Sequence, residues 1–203
     1  MKDVNITIAE IIKIRESELD RIRNTPEGIG KYLAEYQEQT IKVISDNGYG
    51  PVSKEELKLY TNMSEALRTE ADKRPNYIND QSKVVKVVDD MTKTAIDYVD
   101  VIGNLRGMTL AEIGAAKAEA LFFAKSFAGT YKQALGIYAS RIVGILACNG
   151  YSVATEKTNV KYIQLHDEMM KCIKTTYTSA KFFERIDKIT NAVVTYIARG
   201  GLQ

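Results

Sequence analysis

The chain has no tryptophan, one histidine, two cysteines and three prolines among its 203 residues. Each scarcity closes off a class of protein. A single histidine, His166, removes Ser-His-Asp triads, His-rich metal sites and the paired Glu-x-x-His motifs of di-iron bundles. Two cysteines, Cys148 and Cys172, make no disulfide scaffold and suit a reducing compartment. The N-terminus lacks the cationic start, apolar run and small-residue cleavage site of a secretory signal, so a cytoplasmic or virion location is expected. No stretch reaches the ~18 uncharged apolar residues of a membrane span. The most apolar one, Ile113 to Leu146, is broken by Lys117, Glu119, Lys125, Lys132 and Arg141.

Charge of one sign is also missing. The formal balance is +2, with acids and bases interleaved, whereas electrostatic nucleic-acid binding needs a concentrated basic surface. Nucleic acid is therefore only a minor alternative partner. The two halves still differ: residues 1–107 hold 16 basic and 19 acidic side chains, and residues 108–203 hold 12 and 7. Such halves attract one another, within a chain or between neighbours.

All three prolines, Pro26, Pro51 and Pro75, lie in the first 75 residues, so nothing afterwards interrupts a helix. Period-two alternation bounded by turns is absent, and the fold class is all-α. Capping pairs place the helix starts: Thr7 with Glu10, Thr25 before Pro26 and Glu27, Ser53 with Glu56, and Asn79 or Asp80 for a fourth helix to about Arg106. Asn47-Gly48 closes the second helix. Thr109 with Glu112 opens a segment whose apolar residues, from Leu110 to Ile145, recur at helical spacing over nearly forty residues, interrupted if anywhere near Gly129. After the Asn149-Gly150-Tyr151-Ser152 turn, a second long segment carries the seam Ile163, His166, Met170, Ile173, Tyr177, Ala180, Phe183, Ile186, Val193 and Ile197. The expected architecture is a short-helix N-terminal bundle over residues 1–107 packed on a long antiparallel helical hairpin over residues 108–203, or one continuous domain. No internal repeat is apparent.

Candidate chemistry reduces to structural readings. His166 with Met170, and Met169 with Cys172, have the spacing of soft metal ligands on a helix, but His166 and Met170 fall in the apolar seam and read as core. Gly28-Ile29-Gly30-Lys31-Tyr32 fails as a phosphate loop, because Thr25 stands at the first glycine and Tyr32 at the magnesium-binding hydroxyl. The carboxylate pairs Glu35/Glu38, Asp89/Asp90, Asp97/Asp100 and Asp167/Glu168 read as solvated faces. Lys174, Lys181, Arg185 and Lys188 form a basic stripe interrupted by Glu184 and Asp187. Small residues on the apolar segment, Gly129, Gly136, Ala139 and Gly144, suit close helix approach at a subunit contact. Tyr49, Tyr77 and Tyr151, near turns, are candidates for exposed contacts.

No catalytic, metal or cofactor site is expected. The pattern points to a non-enzymatic structural subunit in a homo-oligomer or larger assembly, such as a ring, a filament or a virion connector or internal protein. The alternatives are a helical adaptor or regulator that takes a partner helix, and a lipid-interacting bundle.

Overall fold

The computed structural model describes residues 1–24, 29–73, 81–127, 131–151, 156–173 and 178–198. Among these residues the chain is all-α, with seven helices and no strand. The helices are α1 (Val4–Asn24), α2 (Ile29–Asp46), α3 (Lys54–Asp72), α4 (Gln81–Ser126), α5 (Tyr131–Cys148), α6 (Glu156–Ile173) and α7 (Ser179–Ala198). They form two compact units, Met1–Pro51 with Glu56–Gly103, and Val52–Glu55 with Asn104–Gln203. Helix α4 contributes residues 81–103 to the first and 104–126 to the second.

In the first unit the chain enters α1 at Val4, earlier than the expected start at Thr7. Asp3 is the cap: its Oδ1 accepts the Asn5 N–H at 2.8 Å. Thr7 lies one turn inside, fully buried, with its hydroxyl donated to the Asp3 carbonyl at 3.2 Å. Helix α1 packs on α2 and approaches α4 closely. A Cβ on Gly103 would stand 2.6 Å from Val4 Cγ2, so any larger residue there must displace Val4. Helix α2 ends at Asp46 in a Schellman turn: Gly48, with φ 84°, donates to the Ser45 carbonyl at 2.9 Å, and Tyr49 donates to the Ile44 carbonyl at 2.9 Å.

The second unit closes α5 identically. Gly150, with φ 77°, donates to the Ala147 carbonyl at 3.1 Å, and Tyr151 to the Leu146 carbonyl at 2.7 Å. Helix α5 packs on α6 and α7, which also pack on each other, around a core that includes Leu135, Tyr138, Ile142, Met169, Phe182 and Val193.

These likenesses are systematic, and they correct the expectation of no internal repeat. Buried Thr7, Ile11, Leu33, Tyr36, Ile44 and Tyr49 of the first unit recur, 102 positions on, as buried Thr109, Ile113, Leu135, Tyr138, Leu146 and Tyr151. Each of the six buried side chains of α7 has a buried counterpart 98 positions earlier in α4: Phe182 with Val84, Ile186 with Val88, Ile189 with Met91, Val193 with Ala95, Tyr196 with Tyr98, and Ile197 with Val99. The second unit is four residues shorter between its third and fourth helices. One four-helix plan is built twice.

Two helix extents differ from expectation. The helix expected to end near Arg106 runs on to Ser126. Thr109, taken for a cap, sits in mid-helix and donates its hydroxyl to the Leu105 carbonyl at 3.2 Å. The first long segment is interrupted where an interruption near Gly129 was expected, α4 stopping at Ser126 and α5 beginning at Tyr131, whereas the second, expected to be continuous, is divided: α6 stops at Ile173 before α7 begins at Ser179. The four-residue link before α5 is close to one helical turn, so apolar spacing passes across it nearly in register, whereas the five-residue link before α7 shifts it.

Candidate functional site

Each unit is locked by the same polar contacts. In the first, the Asn47 side-chain amide donates to Glu10 at 2.7 Å, Tyr36 and Thr92 share a hydrogen bond of 2.6 Å, and the Tyr98 hydroxyl donates to the Tyr49 carbonyl at 2.7 Å. In the second, Asn149 donates to Glu112 at 2.9 Å, Tyr138 and Thr190 share a bond of 2.7 Å, and Tyr196 donates to the Tyr151 carbonyl at 2.8 Å. Burial raises the Tyr36 and Tyr138 hydroxyls above the usual tyrosine range, and burial with the neighbouring Tyr162 pushes Tyr196 up to about 12. They remain protonated at neutral pH and serve as hydrogen-bonding struts, not bases. The repeated constellation is therefore architectural.

The units part company where their first two helices cross. In the first unit the crossing is filled by charge. Arg21 pairs with Glu35, lies 3.9 Å from Glu18, and stacks its guanidinium 4.0 Å from the centre of the Tyr32 ring. The hydrogen bond from Arg21 holds the Glu35 carboxyl below the usual range, whereas burial holds Glu18 above it. Counted 102 positions on, Glu18, Arg21, Tyr32 and Glu35 become Ala120, Phe123, Ala134 and Ile137. The result is an apolar groove of about 480 Å³ between α4 and α5. Ala116, Ala120 and Ala134 line it along with Phe122, Ile137 and Tyr138, and Glu119 and Arg141, which pair with each other, are its charged lining residues. Sequence reasoning missed this groove. The signal lay in Thr7-Ile8-Ala9-Glu10-Ile11 and Asn47-Gly48-Tyr49 recurring as Thr109-Leu110-Ala111-Glu112-Ile113 and Asn149-Gly150-Tyr151.

The expected site residues fall in different places. A Cβ on Gly136 or Gly144 would meet nothing within 4 Å, while Ala139 is buried in the second unit. Gly129, Lys174 and Tyr77 lie outside the described residues. Lys181 and Lys188 are exposed and Arg185 is half-buried, donating to the Cys172 carbonyl. Arg185 and Lys188 share a cleft of about 320 Å³ with Lys171, Glu168 and Glu184, so acids interrupt the basic stripe in space as well as in sequence. Of the carboxylate pairs, Glu35 is tied to Arg21 and Asp89 to Arg15 at 2.6 Å, and Asp97, Asp100, Asp167 and Glu168 are exposed.

Two expectations are overturned. His166 is not in the seam of α6: its side chain is 46% exposed, with Nδ1 4.0 Å from Asp167. Ile163 and Met170 are exposed too, and Leu165, Met169 and Cys172 form the buried stripe. The expected seam was a single one drawn from Ile163 to Ile197 across the break between α6 and α7. Tyr49 and Tyr151 are buried rather than exposed, because the Schellman turn directs the residue after its glycine back onto the helix end.

Among the described residues, no group of three or more His, Cys, Asp or Glu side chains is placed to hold a metal ion, and no helix is long and apolar enough to cross a membrane. Comparison with protein-family models, curated proteins and solved structures finds no match to this chain.

Proposed function

We propose that the chain is a structural subunit of a larger homo- or hetero-oligomeric assembly, a ring, filament or virion component of connector or internal-protein type, with no enzymatic activity or cofactor of its own. The observation that supports this reading is the apolar surface left open on α4 and α5, where Phe122 is 72% and Ile137 58% exposed beside the groove. Large apolar side chains gathered at one place on a soluble chain mark a surface that is covered in use. In this reading the struts of each unit keep the helices rigid, and the chain's work is to present that surface. A helical adaptor accepting a partner helix is the second reading, favoured by the same groove. Size analysis of the purified chain, together with size fractionation of native extracts, tests the proposal. The chain should run above its 22.7 kDa mass in at least one of the two. A strictly monomeric protein in both would refute it.

A further inference from the structure

The internal repeat provides a comparison that no single unit could: the same helix pair, with its outward face written twice. On α1 and α2 that face carries Lys13, Glu16, Asp20, Glu38, Lys42 and Asp46, all exposed and all charged. At the six matching positions α4 and α5 carry Ala115, Ala118, Phe122, Ser140, Gly144 and Cys148, also exposed and all without charge. Six matching positions meet water through charges in one unit and carry neutral, mostly smaller side chains in the other, where the charges gained are Glu119 and Arg141. A face stripped in this way suits contact with protein rather than water.

We infer that the α4–α5 face of the second unit is occupied by the same face of a second copy of this chain, related by a two-fold axis. This rests on the reading of the chain as an assembly subunit and names its partner. The choice of partner follows from the face itself, which carries hollows and knobs together. Ala116, Ala120 and Ala134 floor the groove, while Phe122 and Ile137 stand out beside it. Two-fold symmetry sets each copy's knobs against the other's hollow, the condition for a self-complementary interface. Charge is complementary in the same sense. The groove has one acid, Glu119 on α4, and one base, Arg141 on α5, and both replace neutral residues of the first unit, Ser17 and Gln39. The proposed two-fold sets Arg141 of each copy opposite Glu119 of the other, exchanging between two chains the pair that closes within one.

Sedimentation of the full-length chain over a concentration series up to tens of micromolar tests this. The wild type should show a monomer–dimer equilibrium. Phe122→Asp with Ile137→Glu installs the residues that the first unit carries at those positions, Asp20 and Glu35, and should weaken dimerisation by about a hundredfold while the helical circular-dichroism signal is retained. Glu119→Arg alone and Arg141→Glu alone should each be monomeric, because like charges then face across the axis. An equimolar mixture of the two should dimerise, since both interchain pairs are restored and neither intrachain pair is. An oligomer insensitive to all these changes would overturn the inference and leave the assembly reading standing. So would a monomeric chain that runs in a large complex in native extracts. A chain monomeric both when pure and in extracts would overturn both.

Discussion

Glu18 offers the sharpest test of the energetics. It is 3% exposed, at the crossing of α1 and α2, and its Oε1 has no hydrogen-bond partner among the described residues. The nearest cation, Arg21, stands 3.9 Å away and is committed to Glu35. A buried polar atom without a partner costs about 1–3 kcal/mol, and the second unit does without this carboxylate altogether by placing Ala120 there. Methionine keeps the unbranched shape of glutamate at slightly larger volume and removes both oxygens. Glu18→Met is therefore expected to stabilise the protein at pH 7 by about 1–3 kcal/mol, read as an upward shift of the urea midpoint at unchanged slope. The pH dependence has a definite sign. Burial raises the Glu18 carboxyl above its ordinary range, so the folded state holds this proton more tightly than the unfolded one. Its contribution is then fully present below the unfolded value and is lost as the pH climbs through the raised folded value. The gain from Glu18→Met should accordingly be small in acid and grow toward neutrality. Equal destabilisation by Glu18→Met at both ends of that range would refute the reasoning and show that the carboxylate is stabilised by its surroundings.

Four further outcomes are expected. Tyr36→Phe and Tyr138→Phe each remove a buried tyrosine–threonine hydrogen bond and should cost about 1 kcal/mol apiece in denaturant titrations, to a similar extent if the units are true equivalents. Gly103→Ala should destabilise by about 1–3 kcal/mol through overpacking against Val4, whereas Gly136→Ala should gain up to about 1 kcal/mol of helix propensity, both measured by thermal melting. Glu10→Gln should lower stability at neutral pH. Hydrogen bonds from Lys2 and Asn47 hold the Glu10 carboxyl below its ordinary range, so stability present above the unfolded value is lost as pH falls through the folded one, and the deficit should vanish in acid. Substituting the exposed His166 by Gln should change stability by less than about 0.5 kcal/mol, and a large loss would mean that it has partners beyond Asp167.

The all-α class was legible because proline ends at residue 75 and apolar spacing of three and four continues to the end of the chain. The α5 seam of Leu135, Tyr138 and Ile142 was legible even though it was read as the continuation of one long segment from Leu110, because all three fall on the buried side. The α6 seam was read one stripe off, because a single periodicity was drawn through α6 and α7 across the break between them. The repeat was hidden because runs of identity survive only in Thr-x-Ala-Glu-Ile and Asn-Gly-Tyr; elsewhere identities such as Leu33/Leu135, Tyr36/Tyr138 and Tyr98/Tyr196 are scattered singly among positions alike in burial but not in residue type, as with Ala95 and Val193 or Val84 and Phe182. The same two Thr-x-x-Glu runs look like capping boxes, because a threonine three residues before a glutamate satisfies that pattern whether or not a helix begins there. In the folded chain both glutamates reach the turn asparagines instead. The groove was out of reach for a related reason: Ala120 and Ala134 look like ordinary helix formers until they are set beside the Glu18 and Tyr32 they replace.

The paired Asn-Gly turns also set the chemical lifetime of the protein. Asparagine followed by glycine is the step at which an amide side chain most easily cyclises onto the next backbone nitrogen and emerges as a carboxylate. In both turns that nitrogen is already engaged, Gly48 to the Ser45 carbonyl and Gly150 to the Ala147 carbonyl, and the amide is held by Glu10 or Glu112. Ageing at these two positions must therefore wait for local opening, and once it occurs a new carboxylate faces the old one and each repulsion resists reclosure. Old molecules are expected to lose the unit whose turn opens first, so the accumulation of deamidated Asn47 against Asn149 records which of the two halves is the looser.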